Sequence, residues 1–214
     1  MIRAIIFDFD GVIVDSIDIK TQAFAEMYAE FGRQIVEKVV SHHLLHGGIS
    51  RFEKIRFYHR TLLGIDLSDA EVQSFASEFH NKIIRKVVNA RYIPGTYEFL
   101  AKYYKQYRFF ISSGTPELEM KQIVDLKGLD KFFIKVYGSP ASKIDHIESI
   151  LESFSLSRSE TVYIGDSISD KVAASKTGIR FIGRGDNASL LRNERYFVND
   201  LSGLHEYIGK LTGD

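Results

Sequence analysis

The sequence predicts an α/β fold, with a parallel sheet covered by helices and an all-helical unit inserted after the first strand. Two observations lead to this prediction. Short apolar runs typical of buried strands alternate with amphipathic segments at the start of the chain and again after residue 91. Residues 16–90 show helical periodicity and no strand-like run. We therefore expect a core formed by residues 1–15 and 91–214, and a cap formed by residues 16–90.

The core elements alternate regularly along the chain. Strands are predicted at residues 2–9, 108–112, 133–137, 161–165 and 179–182, with a short one at 196–198. Helices are predicted at residues 97–104, 117–126, 144–153 and 168–177. Ligands of open parallel sheets bind beyond the carboxyl ends of the strands, so we expect the functional residues there.

The sequence of the cap predicts several helices joined by short loops. Its first apolar stripe stops at Gly32, a typical helix-ending residue. Ser50 and Ser68 are each followed three residues later by glutamate, the spacing of a capping box. Pro94 and Gly95 mark the return to the core.

Composition excludes several classes of function. The 214 residues include 28 basic and 28 acidic side chains, so no bulk charge attracts nucleic acid or an anionic membrane. Cysteine is absent, which excludes disulfides, thiolate metal sites and a cysteine nucleophile. No apolar stretch reaches the roughly 18 residues that span a bilayer, and the start lacks the features of a signal peptide. We expect a cytoplasmic protein, either a monomer or a homodimer.

Two carboxylates close the first apolar run. Asp8 and Asp10 are separated by one residue and precede Gly11, which allows a sharp turn. Residues at i and i+2 of a strand point the same way, so both carboxylates can address one point beyond the strand. An unpaired buried charge is very unfavourable, and a cation or a chemical role is expected to compensate for it. Alone, the pattern is equally typical of an acidic turn.

A second strand ends in hydroxyl groups. Ser112, Ser113 and Gly114 follow the apolar run at 108–111. Thr115 fits a helix N-cap and Pro116 the first helical position. Free backbone N–H groups at such a helix start favour an anion.

Two more strands end in charged groups. Lys143 follows the strand at 133–137 and begins a helix, and Asp166 closes the strand at 161–165. Asp170 lies one helical turn further on. Together the four strand ends supply carboxylates for a divalent metal, hydroxyl and N–H groups for phosphate oxygens, and an ammonium for charge balance.

These segments resemble the four motifs of the haloacid dehalogenase (HAD) superfamily, within its capped, phosphoglycolate phosphatase-like branch of phosphatases and phosphomutases. The resemblance covers nearly all of the chain, and the motifs stand in the family's order and spacing. It implies a Rossmann-like parallel sheet whose first strand lies between those carrying Ser112 and Asp166. The matching segments are Asp8-Phe9-Asp10-Gly11-Val12, Ser112, Lys143 and Gly165-Asp166-Ser167-Ile168-Ser169-Asp170.

The resemblance implies catalytic roles for four side chains. Asp8 is the expected nucleophile, which forms an aspartyl-phosphate, and Asp10 the expected general acid and base. Ser112 is expected to hold the phosphoryl oxygens together with the N–H groups of Ser113 and Gly114. Lys143 is expected to stabilise the developing charge.

The resemblance also implies a Mg²⁺ cofactor. Its expected ligands are Asp8, the backbone carbonyl of Asp10, and Asp166. Asp170 is expected to orient metal-bound water from outside the coordination sphere.

The cap is expected to select a small phosphorylated metabolite, such as a sugar phosphate or phosphoglycolate. Arg51, and less directly His46, lie at the glycine-rich loop 46–51 and could reach a phosphate or carboxylate of the substrate. They are equally typical of helix-capping and surface residues.

Two alternatives to a phosphatase remain open at this stage. A β-phosphoglucomutase-like sugar phosphomutase could use the same core. A non-enzymatic, phosphorylation-gated binding module is disfavoured by the helical insert. A dehalogenase is disfavoured because Asp10 supplies an acid that carbon–halogen cleavage does not need.

Overall fold

The computed structural model describes residues 1–186 and 189–211. Within these residues, six parallel strands form one sheet in the order β3-β2-β1-β4-β5-β6. The first strand therefore lies between β2, which contains Ser112, and β4, which precedes Asp166, as expected. The strands are β1 Ala4–Phe7, β2 Arg108–Pro116, β3 Lys135–Ser139, β4 Thr161–Gly165, β5 Arg180–Arg184 and β6 Phe197–Val198.

Helices cover the sheet and form the insert, which confirms the predicted fold class. Residues 16–90 contain helices α1 to α4 and a π-helical turn at Tyr58–Leu63, without a strand. The boundaries of the cap at residues 16 and 90 stay a prediction. The helices are α1 Ile17–Met27, α2 Arg33–Leu45, α3 Arg51–Phe57, α4 Asp69–Val88, α5 Thr96–Tyr103, α6 Glu117–Leu126, α7 Lys143–Ser153, α8 Ile168–Thr177 and α9 Leu204–Lys210.

The sheet is buried on both faces. Ile5 and Phe7 of β1 belong to a large apolar cluster that continues into the cap through residues such as Phe24 and Phe79. Ile6 points to the opposite face, into a smaller cluster formed with α7 and α8. Burial of each such side chain contributes about 1.5–3 kcal/mol. Because one cluster spans the core and the cap, the cap packs against the sheet rather than standing free of it.

Three local details differ from the sequence predictions. Strand β2 continues to Pro116, which is itself the N-cap of α6, so Thr115 does not cap that helix. Ser68 and Glu71 form the expected capping box, whereas Ser50 accepts a hydrogen bond from the N–H of Phe52 instead. Helix α9, seven residues long, was not predicted.

No helix among residues 1–186 and 189–211 is long and apolar enough to cross a bilayer.

Candidate active site

Three carboxylates meet at the carboxyl ends of β1 and β4. These strands are adjacent and parallel, so Asp8 and Asp166, which follow them, lie side by side. Asp170 joins them from the first turn of α8, where it completes a capping box with Ser167. Carboxylate oxygens of Asp8, Asp166 and Asp170 all lie within 4.8 Å of one another. The cluster therefore concentrates negative charge at one buried point.

Lys143 at the start of α7 contacts two of these carboxylates. Its Nζ donates to Asp8 Oδ2 at 3.0 Å and to Asp170 Oδ1. Burial lowers the pKa of Lys143, but attraction to Asp170 and Asp8 more than offsets this effect, and the pKa lies well above its ordinary value. The lysine is therefore held as an ammonium.

One ammonium does not balance the cluster. Burial raises the pKa of Asp8 to about 7, although the attraction of Lys143 opposes the shift. Burial also raises the pKa of Asp166 well above its ordinary value, and repulsion from Asp8 and Asp170 adds to it. Asp8 and Asp166 are thus destabilised in their charged forms. An additional cation would relieve this strain.

The donor set fits Mg²⁺, a hard cation that prefers carboxylate oxygens. Asp8 and Asp166 supply such oxygens, and Asp170 lies beside them. Gly11 makes room for this arrangement: its φ is +75°, and a Cβ there would lie 2.1 Å from Asp166 Oδ2. The side chain of Asp10 is not among the clustered carboxylates, so the expected contribution of Asp10 through its backbone carbonyl stays a prediction.

Asp10 has a hydrogen-bond network of its own. Its Oδ1 accepts from Ser16 Oγ at 2.6 Å, and its Oδ2 accepts from Lys20 Nζ and from Thr115 Oγ1. Lys20 Nζ also donates to Thr115 Oγ1 at 2.8 Å. Burial raises the pKa of Asp10, but attraction to Lys20 and these hydrogen bonds outweigh it, and the pKa is lowered. Neither Lys20 nor Thr115 was singled out for this role in the sequence.

Ser113, rather than Ser112, lines the cavity above the carboxylates. The expected phosphate-binding hydroxyl of Ser112 is fully buried and lies 2.9 Å from His146 Nδ1. His146 Nε2 lies 3.1 Å from the carbonyl of Gly138, so Nε2 carries the proton and Nδ1 accepts from Ser112. Ser112 is therefore directed towards α7, away from the cavity. Ser113 and Gly114 remain in the lining with Thr115, where the sequence analysis expected backbone N–H contacts.

The cap closes the cavity, whose volume is about 460 Å³. Ser169 Oγ donates to the carbonyl of Gly47 at 2.9 Å. Gly48 has a φ of +75°, and a Cβ there would lie 2.6 Å from Lys143 Nζ. A Cβ on Gly114 would lie 2.4 Å from the Gly48 carbonyl oxygen. The paired glycines thus allow the cap loop to rest directly on the core residues of the site.

Arg51 lines the cavity, but its guanidinium is already paired. Nη1 donates to Glu119 Oε2 at 2.8 Å, and Nη2 donates to the other carboxylate oxygen. The guanidinium also lies 4.7 Å from the centre of the Phe79 ring. His46 is exposed, stacks on His42 at 4.0 Å and is not part of the cavity lining. The structure therefore brings Arg51, but not His46, to the cavity.

Lys54 and His43 are cavity residues that the sequence analysis missed. Lys54 is 3% exposed, and its Nζ lies 3.0 Å from His43 Nδ1 and 3.3 Å from the His43 carbonyl. Burial lowers the pKa of Lys54 to about 7, and repulsion from Lys20 adds to the shift. Burial and nearby Lys54 lower the pKa of His43 to about 3, so His43 is neutral. The available signal was spacing, since Lys54 follows Arg51 by three residues on one helix face.

Comparisons with known proteins identify the family and the fold of the chain. A family model described as haloacid dehalogenase-like hydrolase matches residues 5–184. No curated protein matches the chain by sequence. Three solved structures show the same fold at identities below 25%.

The first is a predicted phosphoglycolate phosphatase from Haemophilus somnus, with 17% identity, a TM-score of 0.76 and coverage of 97% of this chain and 98% of that one. The second is a β-phosphoglucomutase from Clostridium difficile, with 20% identity, a TM-score of 0.82 and coverage of 100% and 98%. The third is a predicted phosphatase from Clostridium acetobutylicum, with 18% identity, a TM-score of 0.77 and coverage of 98% and 99%.

Proposed function

The chain belongs to the haloacid dehalogenase-like hydrolase family, and from this premise we propose that it is a Mg²⁺-dependent phosphatase of a small phosphorylated metabolite. One observation carries the proposal: Asp8, Asp166 and Asp170 cluster within 4.8 Å beside Lys143, and Asp8 and Asp166 line a cavity covered by the cap. An acid cluster of this kind repels a phosphate dianion unless a cation neutralises it. Mg²⁺, when bound, supplies this neutralisation and polarises the phosphoryl group.

Asp8 acts as the nucleophile in this proposal. Its carboxylate oxygen attacks phosphorus, the bond from phosphorus to the ester oxygen breaks, and an aspartyl-phosphate forms. Lys143, which donates to Asp8 Oδ2, stabilises the charge on the nucleophile and on the transferring group. Ser113 and the N–H of Gly114 hold the phosphoryl oxygens, because these residues and not Ser112 line the cavity.

Asp10 transfers the proton. The lowered pKa of Asp10 leaves it ionised in the free site, but a phosphoryl dianion placed beside it raises the pKa and favours protonation. Protonated Asp10 then donates to the leaving alkoxide. In the second step, Asp10 takes a proton from a water molecule that attacks phosphorus, the bond from phosphorus to the Asp8 oxygen breaks, and inorganic phosphate leaves with the Asp8 carboxylate restored. Ser16, Lys20 and Thr115 hold the carboxyl group in place through both steps.

The cavity sets the class of substrate. A volume of about 460 Å³ under a closed helical cap suits a small metabolite and restricts polymers. The names of the similar structures point to phosphoglycolate and hexose phosphates as first candidates.

The test is phosphate release from a panel of phosphorylated metabolites, measured with Mg²⁺ and with chelator. We expect release that requires Mg²⁺, and a single turnover of labelled substrate should leave the label on Asp8. Asp8→Asn should remove both turnover and label. Full turnover in chelator, or label on Ser113, would contradict the proposal. Interconversion of hexose phosphate isomers without phosphate release would instead identify a phosphomutase.

A further inference from the structure

Lys54 is a buried cation that the proposed chemistry does not use. It belongs to α3 in the cap, is 3% exposed and lines the cavity. Transfer of an ammonium from water to a buried site costs several kcal/mol unless a partner compensates for it. The position of Lys54 therefore requires an explanation.

The contacts of Lys54 do not compensate for its burial. Nζ reaches the Nδ1 atom and the carbonyl of His43, both of which are neutral acceptors. An ammonium has three N–H donors, and these contacts account for two of them. The third donor remains for a group inside the cavity.

The other cations that the cap contributes to the lining contact carboxylates. Lys20 is paired with Asp10, and Arg51 with Glu119. Among the cap's described cavity residues, Lys54 is the cation with no acidic partner. The cavity thus holds in the cap a basic group without a counter-charge, opposite the phosphoryl-transfer residues of the core.

We propose that Lys54 binds an anionic oxygen group of the substrate that is remote from the transferred phosphoryl group. The preferred substrate is then a phosphomonoester whose second acidic group is a carboxylate. This inference rests on the proposed function and narrows it. A substrate that carries only hydroxyl groups in this region leaves the ammonium without a counter-charge. An anionic group there replaces the favourable interactions with water that the ammonium lost on burial.

The test compares substrates matched in size that differ in the remote group. The pair 6-phosphogluconate and sorbitol 6-phosphate differs by a carboxylate in place of a hydroxymethyl group. The pair 3-phosphoglycerate and glycerol 3-phosphate repeats the comparison on a shorter chain. In each series, kcat/KM is measured by phosphate release for the wild-type enzyme, Lys54→Met and the exposed control Lys86→Met.

We expect the wild-type enzyme to prefer the acidic member of at least one pair by about 10- to 100-fold, the range of a charge-assisted contact. Lys54→Met should remove this preference by lowering kcat/KM for the acidic member, with a much smaller loss for sorbitol 6-phosphate and p-nitrophenyl phosphate. Lys86→Met should retain the preference. Equal losses of Lys54→Met on both members would overturn the inference, because they would indicate a structural role.

The kcat/KM ratios of the wild-type enzyme for the two substrate pairs also test the proposal, even if Lys54→Met does not fold. Absence of an acidic preference in both pairs contradicts the role of Lys54, while turnover of p-nitrophenyl phosphate would still support the phosphatase. Absence of Mg²⁺-dependent phosphate release from every substrate would refute the proposed function itself. The failures of the two proposals are therefore distinguishable.

Discussion

Arg51 and Glu119 form a bidentate ion pair that joins the cap to the core. Arg51 begins α3 in the cap, and Glu119 lies in the first turn of α6 in the core. The two side chains are 5% and 7% exposed. His80 of α4 adds a second cap contact, since its Nδ1 lies 2.6 Å from Glu119 Oε2. The pair therefore stabilises the closed position of the cap.

The first prediction concerns this closure. Glu119→Gln keeps the shape of the side chain but leaves Arg51 without its counter-charge, which is strongly unfavourable for a buried pair, about 3–5 kcal/mol. We expect the cap to open more often, and kcat/KM to fall by about tenfold or more for every substrate. The loss should include p-nitrophenyl phosphate, which has no remote group.

Glu117→Gln is the matched control for this measurement. Glu117 lies on the same helix and pairs with Lys121 near the surface, and surface pairs contribute roughly 0–1 kcal/mol. The kcat/KM of Glu117→Gln should stay near the wild-type value. If Glu119→Gln loses activity only with substrates that carry a remote anion, then Arg51 binds substrate directly, as the sequence alone suggested.

The second prediction separates Ser112 from Ser113. Ser113→Ala should lower kcat/KM about 10- to 100-fold, because it removes a hydroxyl that we place on the phosphoryl oxygens. Ser112→Ala should leave kcat/KM nearly unchanged and lower the free energy of unfolding by about 1–3 kcal/mol, since His146 Nδ1 loses its donor in a buried site. Steady-state kinetics and denaturant unfolding measure the two effects. A greater kinetic loss in Ser112→Ala would restore the original assignment.

The sequence predicts the strands and helices that form the site more accurately than the individual side chains that face it. Asp8 and Asp166 follow apolar runs directly, and neighbouring parallel strands bring their ends together whatever the details of packing. Ser113 lines the cavity and Ser112 does not, because successive side chains of a strand point in opposite directions. The register of β2 also shifts between Ser112 and Pro116, and no local pattern indicates such a shift.

Contacts between distant parts of the chain were not predictable. Thr115 reaches Asp10 across 105 positions, and Arg51 reaches Glu119 across 68. Each partner alone has an ordinary local explanation, as a helix-start or surface residue. The parallel pairing of β1 with β2 brings Thr115 near Asp10, whereas the packing of the cap on the core brings Arg51 to Glu119. The same packing buries Lys54, which a single sequence does not distinguish from a solvated lysine.

The third prediction separates the two acids after β1. Asp10→Asn should retain the Asp8 nucleophile and lose proton transfer, which lowers kcat by roughly 10²- to 10⁴-fold. Esters with a better leaving group need less protonation, so p-nitrophenyl phosphate should lose less than an alkyl phosphate. Rapid-quench labelling should still show phosphate on Asp8. An equal loss with both esters would mean that Asp10 positions groups rather than transfers a proton.

The fourth prediction concerns the stability of the protein around Lys54 as a function of pH. Burial lowers the pKa of this lysine from 10.5 to about 7. Between these two values, the unfolded chain binds a proton that the folded protein does not, so the free energy of unfolding rises with pH. The destabilisation from Lys54 is therefore fully present below about pH 7 and disappears as the pH approaches 10.5.

Lys54→Met removes this titrating group. The difference in free energy of unfolding between the variant and wild type therefore reports on Lys54 and not on the other titrating groups. Without substrate, the free energy of unfolding of the variant should exceed that of wild type by more at pH 7 than at pH 9.5, and this difference should shrink by about 3 kcal/mol over the range. Denaturant unfolding at the two pH values measures the change. Lys86→Met, an exposed lysine, should show a difference that does not depend on pH. A constant difference for Lys54→Met would mean that Lys54 keeps an ordinary pKa in the fold, and that its ammonium is solvated or paired in the free protein.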